Sequence, residues 1–201
     1  MIRDDIIESS NKLSKKKDNA YKGYFNYSFI SDKGKIRAIN EDTIYCDEQL
    51  CLIADGMGGH QRGDIASSIA ADVISSKYHQ SNDLVFAIKQ AHKRIHQLST
   101  QTNGTSTASA STSATNTPTK ITTMGTTLVA IANQNEHYQI AWLGDSRAYL
   151  WNADSKILQQ LTTDHSYVNN LISDGLITPK QAINHPKRHI ITQCLGMQPL
   201  E

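Results

Sequence analysis

The sequence predicts a single α+β domain, a strand-rich core whose first half is followed by two consecutive amphipathic helices. Three observations carry that expectation. Short apolar runs closed by Gly, Asp or Asn recur up to residue 54 and again after residue 124. Between them, residues 63–78 and 82–98 place apolar side chains at helical spacing. The chain of 201 residues is one domain's worth, long enough to bury a core.

Composition narrows the function classes. A formal net charge of +1 and the lack of a Lys/Arg block argue against nucleic-acid or membrane-surface binding. No apolar run reaches the length of a membrane span, and the N-terminus lacks a secretory h-region, so a cytoplasmic protein is expected. Cys46, Cys51 and Cys194 are odd in number and without CxxC spacing, which predicts neither a disulfide framework nor a zinc site.

In order, residues 1–20 are polar and lysine-rich and read as a flexible leader to a domain spanning 21–201. Alternating Phe25, Tyr27 and Phe29 predict a half-buried strand over 24–31. Polar residues from Arg37 to Asp42 precede a strand over 43–46, which Asp47 and Glu48 turn back into a strand over 50–54. At the end of that strand stand Asp55, Gly56, Met57, Gly58 and Gly59. The strand end fixes where Asp55 points, and the glycines let carbonyls approach an ion; Asp55 and the Gly56 carbonyl are thus candidate ligands for a hard cation. The alternative is an ordinary Asp-Gly hairpin turn.

If the two strands pair, Glu41 and Asp42 fall beside Asp55, with Arg37 close by. Three uncompensated carboxylates raise one another's pKa, so such a group usually holds a cation or an arginine. All-oxygen ligation favours Mg²⁺ or Mn²⁺, and a guanidinium beside such metals suits a phosphate. Alternatively, Arg37 merely neutralises the carboxylates as a surface ion pair.

The first helix carries Ile65, Ile69 and Val73 with Ala66, Ala70 and Ile74 beside them; the second, capped by Ser81 or Asn82, carries Leu84, Ile88, Ala91, Ile95 and Leu98. His92 and His96 stand at i, i+4 without a visible third ligand and read as solvated. Residues 101–123 are Ser/Thr/Ala/Asn low complexity and read as a disordered insertion. Strands follow over 125–132, 138–143, 148–151 and 157–161. Asp145 again sits in a tight turn after a strand, with Arg147 as its salt-bridge alternative. Asp164 or Ser166 caps a short helix, Thr178 and Pro179 start another, and residues 190–196 form a last stretch with no element after it.

Residues 24–201 resemble the metal-dependent protein serine/threonine phosphatases of the 2C type, in their bacterial form. The matching blocks are Ser31 to Gly34 with Arg37 to Asp42, Asp55 to Gly59 with Gly63, Ala66 and Ser67, then Gly125-Thr126-Thr127, Gly144-Asp145-Ser146-Arg147, Leu161-Thr162 with Asp164-His165-Ser166, and His185-Pro186 with Leu195-Gly196. The resemblance implies a β-sandwich of two antiparallel sheets flanked by helices, with a binuclear Mn²⁺/Mg²⁺ centre at one end. It implies that Asp55 bridges the metals, that Glu41 and the Gly56 carbonyl ligate one, and that Asp42 holds a metal-bound water. Arg37 would bind the phosphate, and Asp145 a third, weaker metal. The substrates implied are phosphoserine and phosphothreonine on proteins, opposing a serine/threonine kinase. Where some members carry a catalytic histidine this chain has Met57, and His60 is the stand-in general acid. The family's later Asp-Gly and Asp-Asn blocks, which complete the second metal's ligands, are expected to be missing at the C-terminus. A catalytically impaired remnant that binds phosphoprotein or metal without turnover is therefore the alternative. An unrelated oxygen-ligated metal hydrolase, such as a phosphodiesterase, does not account for so many ordered blocks.

Overall fold

The computed structural model describes residues 7–9, 26–58, 62–101, 124–134 and 137–197. Its centre is a hairpin. β2 (Asp42–Cys46) and β3 (Leu50–Gly58) run antiparallel with Asp42 opposite Asp55 and Cys46 opposite Cys51. Asp47 fixes the turn, because its Oδ1 accepts from the amides of Gln49 and Leu50 at 2.8 and 2.9 Å. Its Oδ2 takes the Tyr45 hydroxyl at 2.5 Å and lies 2.7 Å from His79 Nε2. Burial would raise the Asp47 carboxyl, but the bonds from Tyr45, both amides and His79 outweigh it and hold it below the ordinary range. The same bond to Asp47, with burial, pushes Tyr45 up to about 12.

β3 is longer than the sequence suggests. It pairs with β5 (Leu128–Asn133) as far as Ile53 opposite Val129, then continues past Asp55 to pair with β4 (Met124–Thr126), Gly56 opposite Thr126. Asp55 therefore stands within the strand, where it changes partner, and not in a turn at its end. The strand expected over 125–132 is correspondingly split at Thr127. β6 (Tyr138–Leu143) and β1 (Ile7–Ser9) complete a six-stranded sheet in the order β1-β6-β5-β3-β2, with β4 on the far end of β3. β1 lies within the stretch read as a leader; the rest of 1–20 lies outside the described residues.

Alternation along the strands decides where the core sits. Leu50, Leu52 and Ala54 of β3 share a face with Leu128, Ala130 and Ala132 of β5, and all are buried. Two helices cover it, α1 (Gly63–Ser81) and α2 (Leu84–Gln101). The α1 stripe that packs most deeply is Ala66, Ala70, Ala71 and Ile74; Ile69 and Val73 pack against its edge half-buried, and Ile65 is 42% exposed. Small side chains let the helix axis approach the sheet, which is why the alanine stripe sits deepest and Ile69 and Val73 line its edge. Each fully buried leucine here contributes roughly 2 kcal/mol. Asn82, in the left-handed region at φ 54°, ends α1, and Asp83 caps α2 through its Oδ1 to the Phe86 amide at 2.8 Å.

The second antiparallel sheet is, among the described residues, a hairpin of β7 (Tyr149–Asn152) and β8 (Ile157–Gln160), exposed along its length. Residues 26–31 form no strand; Tyr27 and Phe29 are exposed, since alternation without a neighbouring ladder does not hold a strand. α3 (Tyr167–Ser173) starts at Ser166, and α4 (Pro179–Ile183) at a Thr178–Gln181 capping box. The stretch from Cys194 to Met197 does find a partner: Leu195 exchanges hydrogen bonds with Thr126 at 2.9 and 3.1 Å and is fully buried. Gly196 lies between the two histidines of α2, its amide donating to His92 Nδ1 and its carbonyl facing His96 Nδ1, both at 3.2 Å. These histidines thus clamp Gly196, with His92 half-buried and His96 still exposed, as the sequence predicts. Cys46 and Cys51, opposite one another with Cα atoms 4.1 Å apart, form a disulfide that their spacing had not suggested. No helix among the described residues is long and apolar enough to cross a membrane.

Candidate functional site

The pairing of β2 with β3 puts Asp42 and Asp55 on one face of the sheet, directly opposite. Loss of hydration at this crowded position, together with the charge and hydrogen bond of Asp42, raises the Asp55 carboxyl to about 6; Asp145 adds to the rise and Arg37 opposes it. Two of the sequence-predicted carboxylates, Asp42 and Asp145, thus act on Asp55 in the fold.

Glu41 is held from behind. Its carbonyl accepts from the Gly56 amide at 3.0 Å and from the Ser67 hydroxyl of α1 at 2.7 Å, and Ser67 Oγ lies 2.9 Å from Thr43 Oγ1. The first turn of α1 presses against the same point. A Cβ on Gly56 would stand 2.0 Å from the Gly63 carbonyl oxygen, and one on Gly63 would stand 2.7 Å from Glu41 Oε1. The two glycines are required for this backbone contact, which seats a helix N-terminus beside the Glu41 carboxylate, a favourable placement for negative charge. Ser67, fully buried, had no role assigned from sequence; its place one turn into a helix that starts at a glycine was the available signal.

Arg37 pairs with Glu41, Nη1 to Oε2 at 3.1 Å, with its side chain 60% exposed. The ion-pair alternative raised from sequence is the observed arrangement. The corresponding alternative at the second turn is not: Arg147 forms a two-pronged pair with Asp164, Nε–Oδ1 and Nη2–Oδ2 both 2.7 Å, and leaves Asp145 aside. The β6–β7 turn bearing Asp145 is anchored by His165, whose Nδ1 accepts from the Gly144 amide at 3.2 Å and whose ring stacks on Trp142. His60 lies outside the described residues, as does the insertion beyond Gln101.

Among the described residues, no three Asp, Glu, His or Cys side chains close on one point at metal-holding distance. The donors nonetheless fit a hard cation. They are all oxygen, and their mutual repulsion at Asp55 is what a divalent ion relieves. Asp64, next to Gly63, keeps Oδ1 buried without a hydrogen-bond partner among the described residues.

Comparison with known proteins points the same way. A family model described as protein phosphatase 2C matches residues 38–193. The serine/threonine phosphatase stp of Listeria innocua is 34% identical over 175 residues, covering 85% of this chain and 66% of that protein. Protein phosphatase PhpP of Streptococcus pneumoniae is 32% identical over 185 residues, covering 85% and 68%. The crystal structure of the Mycobacterium tuberculosis serine/threonine phosphatase PstP/Ppp superposes with a TM-score of 0.67 at 31% identity, over 86% of this chain and 68% of that one. The catalytic domain of PstP, solved with two manganese ions, gives 0.63 at 30% identity, over 86% and 67%. The chain thus spans about two thirds of the Streptococcus protein and slightly less of the Listeria one. The hairpin that sets Asp42 against Asp55 and the helix that seats Glu41 lie within the matched residues, and the chain belongs to the protein phosphatase 2C family.

Proposed function

We propose that this chain carries the metal-dependent hydrolysis of phosphoserine and phosphothreonine on proteins. The observation that carries the reading is the pairing that sets Asp42 directly opposite Asp55, two carboxylates on one face whose repulsion, with Asp145 adding to it, raises Asp55 and calls for a cation. Asp55 would be shared between two Mn²⁺ or Mg²⁺ ions, Glu41 and the Gly56 carbonyl would hold one of them, Asp42 would orient a water, and Asp145 would serve a third, weaker ion. Bound there, such ions supply the Lewis acidity that makes a water nucleophilic near neutral pH. Arg37 is the phosphate ligand in this reading. Its present pair with Glu41 is exposed and worth little, so Arg37 can exchange that carboxylate for a phosphate it grips with two N–H groups. His60 remains the candidate general acid. Phosphorylated proteins made by a serine/threonine kinase are the substrates this chemistry implies, and the cytoplasm, where ATP-dependent kinases work, is the matching location.

A second reading, binding of phosphoprotein or metal without turnover, is favoured by one observation: no three ligands converge among the described residues. Hydrolysis of a phosphothreonine peptide with millimolar-scale Mn²⁺ decides between them, with Asp55→Asn and a chelated sample as blanks. Turnover that needs Mn²⁺ and is lost in Asp55→Asn is expected; folded protein no faster than the blank would leave the binding reading.

A further inference from the structure

We propose that Thr127 is a positioning residue whose hydroxyl, together with that of Ser146, locks Asp55 and the turn bearing Asp145 into one unit. The inference rests on the metal reading above and adds to it the device that sets the two carboxylates relative to each other.

Thr127 falls opposite Asp55 where β3 changes partner, and its amide donates to the Asp55 carbonyl at 2.9 Å. A regular antiparallel ladder would return the Asp55 amide to the Thr127 carbonyl. Here that amide instead donates to the Thr127 hydroxyl at 3.1 Å, while the Thr127 carbonyl accepts from Thr126 Oγ1 at 3.0 Å. The hydroxyl has thus replaced a ladder carbonyl, and it reaches further than one could. Thr127 Oγ1 lies 2.7 Å from Ser146 Oγ, next to Asp145. The threonine oxygen has two lone pairs and one proton, so it takes the Asp55 amide and still bonds Ser146, with either hydroxyl able to donate.

The same side chain is also the floor of the turn. A Cβ on Gly144, which sits at φ +96°, would stand 2.7 Å from the Thr127 methyl. Thr127 is fully buried, so neither contact is exchanged with solvent. One residue therefore touches the backbone of one carboxylate and both neighbours of the other, through a hydroxyl on one side and a methyl on the other. A buried threonine that served packing alone would need only the methyl; the diverted Asp55 amide needs the oxygen.

The test compares wild type with Thr127→Ser, Thr127→Val and Ser146→Ala by two readouts. Amide hydrogen exchange at Asp55 is measured in metal-free protein, and Mn²⁺ affinity by calorimetry. Losing a buried hydrogen-bond acceptor in Thr127→Val is expected to speed Asp55 exchange and weaken Mn²⁺ binding by roughly tenfold each, whereas Thr127→Ser keeps both near wild type. Wild-type behaviour in the valine variant, or equal damage in the serine variant, would overturn the proposal. Should Thr127→Val not fold, Ser146→Ala breaks the bridge from its less buried end, and unchanged Mn²⁺ affinity there would overturn it. If wild type takes up no Mn²⁺, the metal reading fails by itself; Asp55 exchange that distinguishes the serine from the valine variant would still sustain the lock, and exchange that does not would overturn it.

Discussion

At the scale of single residues, Asp55 carries a cost that its surroundings impose. Its carboxyl is raised from 3.8 to about 6, first by lost hydration and then by Asp42. Above pH 6 the folded chain holds a charge it resists; as pH falls from about 6 to below 4, the folded chain takes up that proton before the unfolded chain does, and this group's contribution to stability rises. Asp55→Asn removes the charge throughout. The metal-free variant is therefore expected to melt above wild type at pH 7, with the gap closing near pH 4, as followed by circular dichroism. Identical melting at pH 7 would contradict the crowding. The opposition of Asp42 to Asp55 was legible in the sequence, because a turn at Asp47 and Glu48 between two strands leaves little choice of register. The partner of Arg147 was not: Asp145, two positions away, lost to Asp164, which only the fold brings near.

At the scale of elements, α2 does two things that helical spacing does not reveal together. One face enters the core, and a neighbouring strip receives Gly196. Burial first, and His96 second, hold His92 below the ordinary histidine range, in keeping with its neutral Nδ1 accepting the Gly196 amide. A histidine depressed on folding contributes stability that is present above the unfolded pKa near 6.5 and is lost as pH falls through that value. Acidification below pH 6.5 is therefore expected to loosen the stretch around Leu195, seen as a lower protection factor of the Leu195 amide once its exchange is divided by the intrinsic rate at each pH. His92→Gln, whose carbonyl oxygen accepts the same amide at any pH, should remove most of that dependence; an equal response in both proteins would refute the clamp. Helix periodicity located α2 to within a few residues, yet the clamp joins residues about a hundred positions apart, and no local pattern encodes such a pairing.

At the scale of the whole molecule, the core occupies one side of the six-stranded sheet, and the described second sheet is an exposed ribbon. Trp151, Ile157 and Leu158 are 56%, 59% and 61% exposed and neighbour one another across β7 and β8. An apolar ribbon of this kind associates. Sedimentation of residues 1–201 is expected to reveal concentration-dependent self-association that Trp151→Lys with Leu158→Lys reduces; a monomer at every concentration would show the ribbon to be covered. The α+β class was legible from the order of apolar runs and helices. The reach of β3 was not, because glycines at 56 and 58 read as a stop and only pairing with β4 keeps them in a strand.

That reach has a thermodynamic meaning. Asp55 belongs to the strand that α1 packs against and that pairs with three other strands, so its part of the site cannot open while the core stays closed. Whatever binds there binds the native state as a whole, and a ligand at a hundred times its Kd adds about 2.7 kcal/mol to global stability. For this chain the melting curve is itself a binding assay, one that needs neither a substrate nor turnover.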